Sequence, residues 1–294
     1  MADGFVFKAV RGLWYVETDS GILCCSARGR LRAEKLTPLV GDRVSVTDLG
    51  GGKGSLDAVL PRKNAFIRPA VANLDVLVIL ASAAVPVTEP YLIDRMIAIA
   101  ELKGCEPVIC WHKADLARRE DLVRCYREAG LPCLETSAET GEGIEDLARQ
   151  LEGKFCAFTG NSGVGKSSLL NAMQPALMLA TGEISDKLGR GRHTTRHVEV
   201  FRLGKNIRAA DTPGFSAFDA EDVSLAMKKR LPELFREFRP YLGRCRFADC
   251  GHGRDEGCAI RSAVESGQIS ESRYRSYLML KEELKDLREW DLHN

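Results

Sequence analysis

Residues Gly160-Asn161-Ser162-Gly163-Val164-Gly165-Lys166-Ser167 follow the spacing G-x-x-x-x-G-K-S. An apolar run, Phe155-Cys156-Ala157-Phe158, precedes them, and Ser168-Leu169-Leu170-Asn171-Ala172 follows. Strand, glycine loop and helix in that order are the context a phosphate-binding loop requires. A glycine-rich turn that binds nothing would need neither flank. The glycines let successive backbone N–H groups curl around a phosphate, and the helix N-terminus adds partial positive charge. Lys166 is placed to reach the β- and γ-phosphates of a nucleotide, and the Ser167 hydroxyl to ligate Mg²⁺. Asp211-Thr212-Pro213-Gly214 begins 45 residues after Lys166, behind another apolar run. There Asp211 can hold Mg²⁺ through water and the Gly214 N–H can meet a γ-phosphate. Thr194 or Thr195, in the intervening loop, completes the magnesium shell, with Thr195 preferred.

A base-reading element precedes the phosphate loop. His112-Lys113-Ala114-Asp115 follows an apolar run ending at Trp111, and Thr136-Ser137-Ala138 ends the next one. The first is similar to the N-K-x-D of GTPases, whose Asp accepts two hydrogen bonds from guanine; His112 stands where Asn is usual. Ser137-Ala138 matches the S-A element whose backbone meets guanine O6. Alone, His112–Asp115 also reads as a helix N-terminal turn. The candidate nucleotide contacts are therefore His112, Lys113, Ala114, Asp115, Ser137, Ala138, Gly160 through Ser168, Thr195, Asp211 and Gly214. Their order is permuted: base-reading residues come first and phosphate residues second. A parallel sheet tolerates this if the old termini lie close together. Whatever lies beyond residue 215 is then tethered to the γ-phosphate-sensing segment.

Beyond it stand Cys245, Cys250, His252 and Cys258, three thiols and an imidazole within fourteen residues. The set fits a closed tetrahedral Zn²⁺ site, with Gly251, Gly253 and Gly257 for the turns. Buried thiols beside a surface histidine are the alternative. Four ligands leave no open position, so the zinc reading is a structural one that couples metal binding to folding.

The elements that must carry these residues follow from periodicity. Residues 1 to about 62 hold short β-prone runs between glycine turns, which suggests a small barrel such as an OB-fold. Residues 63–72 read as a linker. From Leu74 onward strands alternate with helices: strands at 76–80, 108–111, 133–136 and 155–158, helices at 91–103, 121–129 and 144–151. That pattern implies a parallel sheet covered on both faces. Residues 177–196 form a long basic, glycine-containing loop, 198–201 and 207–210 two strands, and 222–242 and 271–292 helices. Arg28, Arg30, Arg32 and Lys35 form a basic patch, either an RNA contact or a solvated strand edge.

The chain has 294 residues, 45% hydrophobic and 28% charged, with a net charge of +1. The charge balance gives no global argument for nucleic acid, so any such argument is local. No apolar run approaches the ~18 residues of a membrane span. Met1-Ala2-Asp3-Gly4 has neither a basic n-region nor an apolar h-region, so no signal peptide is expected. Ten cysteines without a secretion signal suggest a reducing compartment. The seven outside the C-terminal cluster read as small buried hydrophobes.

Taken together, the chain resembles the circularly permuted GTPase family known as ribosome small-subunit-dependent GTPase A (RsgA). The resemblance rests on the β-rich N-terminus with Val40-Gly41-Asp42-Arg43-Val44, the permuted motif order, and Gly189-Arg190-Gly191-Arg192-His193-Thr194-Thr195. Asp211-Thr212-Pro213-Gly214-Phe215 and the Cys-Cys-His-Cys finger complete it. It implies an OB-fold-like RNA-binding barrel over 1–65, a circularly permuted P-loop GTPase domain over 66–220 and a zinc-finger and helical domain over 221–294. It further implies a cytoplasmic factor, expected to be a monomer with no membrane partner, that binds the small ribosomal subunit and its rRNA. Its cofactors would be one structural Zn²⁺ and Mg²⁺ with GTP. Subunit-stimulated hydrolysis to GDP during late maturation is the implied activity. A nucleotide-gated RNA-binding scaffold with negligible turnover is the alternative; an ATP-using enzyme is disfavoured by Asp115 and Ser137-Ala138. Phe215, where many GTPases place Gln, cannot orient the attacking water. His193 is the candidate catalytic group, and ribosomal RNA the alternative source. His193→Ala is expected to leave GTP and subunit binding within roughly threefold. It should remove most subunit-stimulated turnover, on the order of tenfold, as read by phosphate release with and without subunits.

Overall fold

The structure, a computed structural model, describes residues 2–29, 31, 36–67, 69–178, 198–204, 206–210 and 221–287. Strands β1 (Ala2–Val10), β2 (Leu13–Thr18), β3 (Gly21–Ala27), β4 (Arg43–Gly50) and β5 (Lys53–Val59) close a barrel in the order β1-β2-β3-β5-β4. Closure pairs both edges, so no strand edge is left to template aggregation. Alternate residues point inward, and Val6, Val16, Leu23, Val44, Val46 and Leu56 fill the barrel. The sequence reading did not single out β1. Its Gly4 lies against β2, where a Cβ would come 2.3 Å from Val16 Cγ1.

The expected linker at 63–72 contains a short antiparallel pair, β6 (Ala65–Phe66) and β7 (Val71–Ala72). Asn64 closes it: its amide donates to the Leu74 carbonyl at 2.8 Å and its oxygen accepts the Leu74 N–H at 3.0 Å. The Val40-Gly41-Asp42 corner explains its own composition. Gly41 has φ +91°, and a Cβ there would sit 2.1 Å from the Ala72 carbonyl oxygen and 2.5 Å from the Phe155 ring. Asp42 is fully buried and accepts two bonds from the Arg62 guanidinium at 2.8 Å each.

The central sheet has six strands in the order β10-β9-β8-β11-β13-β12. These are β8 (Val76–Ser82), β9 (Glu106–His112), β10 (Cys133–Thr136), β11 (Phe155–Gly160), β12 (Val200–Leu203) and β13 (Ile207–Ala210). β8 through β11 and β13 run parallel, and only β12 is antiparallel. Burial on both faces is why β8 and β11 read as unbroken apolar runs. The crossover helices are α1 (Pro90–Leu102), α2 (Glu120–Glu128), α3 (Ile144–Leu151) and α4 (Lys166–Met173). Six of the seven scattered cysteines are buried and Cys24 is half-buried. Burial pushes the Cys105, Cys110 and Cys133 thiols up to about 12, so they are inert S–H groups.

The expected helix over 222–242 is corrected. It is α5 (Glu221–Arg230) followed by two 3₁₀ stretches, Leu231–Leu234 and Arg236–Tyr241. Pro232 and Pro240 lack the N–H that a continuous α-helix needs and clash with the preceding turn. The chain then forms the cysteine loop, α6 (Ala259–Glu265) and α7 (Glu271–Glu283). The last helix is thus shorter than the expected 271–292: it is capped at Leu284, and residues 288–294 lie outside the described set.

α7 packs on α1 through a charge that sequence periodicity does not show. Arg273 is buried and donates to Asp94 Oδ1 at 2.6 Å and to the Glu237 carboxylate at 2.7 and 3.1 Å. Its guanidinium also lies over the Phe235 ring at 4.6 Å. Burial opposes its charge, but Glu237 and Asp94 outweigh it and hold Arg273 well above its usual range. Arg273→Met strands two buried carboxylates and is expected to cost about 3–5 kcal/mol. Arg275→Ala, which breaks an exposed pair with Glu271, should cost under about 1 kcal/mol. Pulse proteolysis across a urea series compares the two; equal midpoints would contradict the structural role of Arg273.

Candidate nucleotide and metal sites

The C-terminal ends of β8, β9, β10 and β11 lie side by side: Ser82 pairs with His112, His112 with Thr136, and Leu80 with Gly160. In an open parallel sheet this is the edge where ligands bind. Residues that are far apart in sequence therefore meet. Gly160 ends β11, and a Cβ there would come 2.9 Å from the Leu80 carbonyl oxygen. Asn161 is half-buried, Ser162 and Gly163 are exposed, and Val164 is buried as the loop's apolar anchor. Gly165 caps α4 with φ 102°, and Lys166, Ser167 and Ser168 form the first, half-buried turn. The loop N–H groups and the positive end of α4 are thus presented at one edge, the arrangement that receives a phosphate.

The base-reading candidates bracket the same edge. Lys113 adopts φ 60° and its ammonium donates to the Gly163 carbonyl at 2.8 Å and the Val85 carbonyl at 2.9 Å. It therefore braces the phosphate loop against the segment after β8. Ala114 is buried, its N–H donates to the Thr136 carbonyl at 3.1 Å, and Asp115 is exposed at the turn. Ser137 is fully buried and its hydroxyl accepts the N–H groups of Glu139 and Thr140 at 3.2 Å. Ala138, next in this tight turn, is half-buried. Arg118 donates to both Glu142 oxygens at 2.8 Å, and the Ser137 N–H donates to the Glu142 carbonyl at 3.0 Å. The two base-side loops are tied together by that residue.

His112 is buried, with Nδ1 3.0 Å from Thr136 Oγ1. Burial, with Lys113 adding to it, pushes the imidazole pKa down, so the ring is neutral at pH 7. Sequence reasoning missed Arg118, Glu142 and the Val85 carbonyl, and it quoted Thr136 beside Ser137-Ala138 without giving its side chain a role. Arg118 and Glu142 are ordinary polar residues in no motif, and a backbone carbonyl leaves no sequence signal. His193, Thr194, Thr195, Asp211, Gly214 and Phe215 lie outside the described residues, as do Arg30, Arg32 and Lys35 of the basic patch. Arg28, the described member, pairs with Asp57 at 3.0 Å. Two further clefts lie away from this edge and are lined by ion-paired side chains, Lys63–Asp75 with Arg236–Glu106 in one and Glu17–Arg208 in the other.

The C-terminal cysteines and histidine do converge. Their four ligand atoms lie within 4.8 Å of one another. His252 Nδ1 is 3.5 Å from Cys245 Sγ and 3.7 Å from Cys258 Sγ. A tetrahedral Zn²⁺ with Zn–S of about 2.3 Å and Zn–N of about 2.0 Å sets S···N edges of about 3.5 Å. The donor set and its spacing therefore fit zinc. Burial pushes the His252 pKa down, which favours the neutral ring a metal ligand requires. α7 holds the knuckle through backbone carbonyls. Tyr274 donates to His252 and Gly253 at 2.8 and 3.1 Å, and Tyr277 and Lys281 to Gly251. The partly apolar stripe of α7 is thus the packed face, with a polar rim that grips the cysteine loop.

Comparison with known proteins agrees with this geometry. The family model described as RsgA GTPase matches residues 59–221, and that described as RsgA N-terminal domain matches residues 3–56. A relative named small ribosomal subunit biogenesis GTPase RsgA, from Caldanaerobacter subterraneus subsp. tengcongensis, is 43% identical over 96% of each chain. The protein of that name from Alkaliphilus metalliredigens is 41% identical over 99% of this chain and all of its own. Among solved structures, YjeQ from Thermotoga maritima superposes with a TM-score of 0.82 at 35% identity, covering 98% of this chain and 99% of that one. YloQ, described as a circularly permuted GTPase, gives 0.81 at 32% identity, covering 98% and 96%.

Proposed function

The chain belongs to the RsgA GTPase family and is a GTP-hydrolysing enzyme, and we propose that its hydrolysis times a late step in maturation of the small ribosomal subunit. The observation that carries the nucleotide half of this reading is the convergence at one sheet edge of the Gly160–Ser168 loop with the His112–Asp115 and Ser137–Ala138 strand ends. The partner comes from the names of the relatives, which cover nearly the whole chain.

In this reading Gly160 through Ser168 wrap the phosphates, Lys166 pairs the β- and γ-phosphates, and Asp115 accepts the guanine donors while the Ser137–Ala138 backbone meets O6. Bound Mg²⁺ would neutralise charge developing between the β- and γ-phosphates, held by Ser167 and Thr195 with Asp211 through water. The Gly214 N–H senses the γ-phosphate, and His193 or ribosomal RNA orients the water. Residues 1–65 form an RNA-binding barrel, 66–220 the permuted GTPase domain, and 221–294 a domain organised on one Zn²⁺ held by Cys245, Cys250, His252 and Cys258. Among the described residues no helix is long and apolar enough to cross a membrane, in keeping with a cytoplasmic factor. The chain acts as a monomer on the subunit and its rRNA.

Hydrolysis with and without purified small subunits tests the central reading; turnover that subunits do not raise would refute it. Asp115→Asn removes the carboxylate's two acceptors and is expected to shift preference from GTP towards XTP, measured by competition binding. An unchanged preference would displace Asp115 as the guanine reader. Metal analysis of fresh protein should give about one Zn²⁺ per chain, and chelation should open residues 240–294 to protease while nucleotide binding survives. Cys250→Ser protein with normal protease resistance would count against the zinc role.

A further inference from the structure

Tyr274, Tyr277 and Lys281 recur at helical spacing along one face of α7, and that face grips residues 251–253. Lys281 differs from the two tyrosines in carrying charge. Its ammonium donates to the Gly251 carbonyl, between the candidate ligands Cys250 and His252. It also fills the place of a side chain at residue 251: a Cβ there would come 2.4 Å from Nζ and 3.5 Å from Cε. Gly251 lies outside the left-handed region, so its backbone conformation does not call for glycine, whereas the ammonium beside it does. Arg246 pairs with Glu256 at 3.1 Å and Arg261 with Glu265 at 3.3 Å, so these two cations are engaged elsewhere. Asp255, which accepts the Gly253 N–H at 3.2 Å, partly opposes the Lys281 charge.

Three thiolates, a neutral imidazole and a dication sum to one negative charge. His252 and Cys258 are buried and Cys245 and Cys250 half-buried, so water screens that charge incompletely. Two backbone donors meet the sulfurs, the His252 N–H at 3.4 Å from Cys250 Sγ and the Arg261 N–H at 3.5 Å from Cys258 Sγ. They bring dipoles and no net charge. We propose that Lys281 is the counter-cation of the C-terminal zinc site: it balances the excess negative charge of the four ligands and their metal, raises zinc affinity, and is the reason that residue 251 is glycine. The inference rests on the zinc reading of Cys245, Cys250, His252 and Cys258. The ammonium reaches a fixed place because α7 is locked on α1 through Arg273 and Asp94. Without the cation the ligands still converge, and the metal is held less tightly.

The test is competition for Zn²⁺ between the reduced full chain and a chromogenic chelator, read by absorbance. Lys281→Gln, which keeps a donor and loses the charge, is expected to weaken zinc binding by about tenfold. Lys281→Glu should weaken it further, by about another tenfold, because it reverses the charge. Tyr277→Phe removes an uncharged donor to the same carbonyl and should stay within about threefold of the parent. The gap between parent and Lys281→Gln should narrow in high salt, which screens an exposed ammonium. Gly251→Ala is tolerated by the backbone and displaces the ammonium, so it should weaken zinc binding by about fivefold, and Lys281→Gln should add little to it. Parent-like zinc affinity in both Lys281→Gln and Lys281→Glu would overturn this inference alone. So would equal losses in Lys281→Gln and Tyr277→Phe that salt leaves unchanged, since they would reduce Lys281 to a grip on the carbonyl. Parent protein that neither carries zinc nor takes it up would overturn the zinc reading and this inference with it.

Discussion

The relation between the C-terminal region and the central sheet depends on one buried cation. Arg273 has no route to water, and its guanidinium is stable there only because Asp94 on α1 and Glu237 in the second 3₁₀ stretch both face it. An apolar contact between α1 and α7 would tolerate sliding. A buried fork of N–H donors does not, because a shift of an ångström strands charge in a low dielectric. Burial pushes the Asp94 carboxyl up, against the pull of the Arg273 charge beside it. The surrounding ion pairs repeat the theme at lower stakes: Arg236 donates to Glu101 and Glu106, and Arg95 and Tyr91 meet Glu283.

With α7 fixed in this way, its other residues have defined tasks. Tyr274, Tyr277 and Lys281 donate to the carbonyls of residues 251–253, so the helix that docks on α1 also shapes the cysteine loop. α1 in turn begins a few residues after Val85, whose carbonyl shares the Lys113 ammonium with Gly163. One helix pair therefore stands between the phosphate loop and the cysteine cluster. The barrel is held to the central sheet by different means. Phe5 stacks edge-on against Phe155 with centroids 5.4 Å apart, Arg208 lies over the Phe5 ring at 4.5 Å, and Glu17 pairs with Arg202 and Arg208. Gly41 lets the barrel corner reach the Ala72 carbonyl.

The permuted order of the motifs is tolerated because the site is assembled from strand ends. In a parallel sheet every strand presents its C-terminal end at the same edge, whatever the order in which the chain visits them. Cutting the chain elsewhere changes the connections on the far side and leaves that edge alone. What changes is which segment leaves the domain last.

The sequence by itself determined the candidate residues for the chemistry and the type of most elements. The G-x-x-x-x-G-K-S spacing, the strand ends at His112 and Thr136, and the Cys-Cys-His-Cys spacing are local patterns, and local patterns survive without tertiary information. Unbroken apolar runs marked β8 and β11 because both their faces are covered. Tertiary structure decided what depends on residues distant in sequence. It showed that Arg273, one arginine among many in a charged helix, is buried, because its partners lie 179 and 36 residues away. It showed that Gly41 is required by a carbonyl of another segment, and that His112 meets Thr136 on one side and Gly165 on the other. It also ended the 222–242 helix at Arg230, just before Pro232, with Pro240 in the second 3₁₀ stretch; local reading had absorbed both prolines into a charged helix. In each case the deciding quantity is a distance across the fold, which periodicity along the chain does not encode.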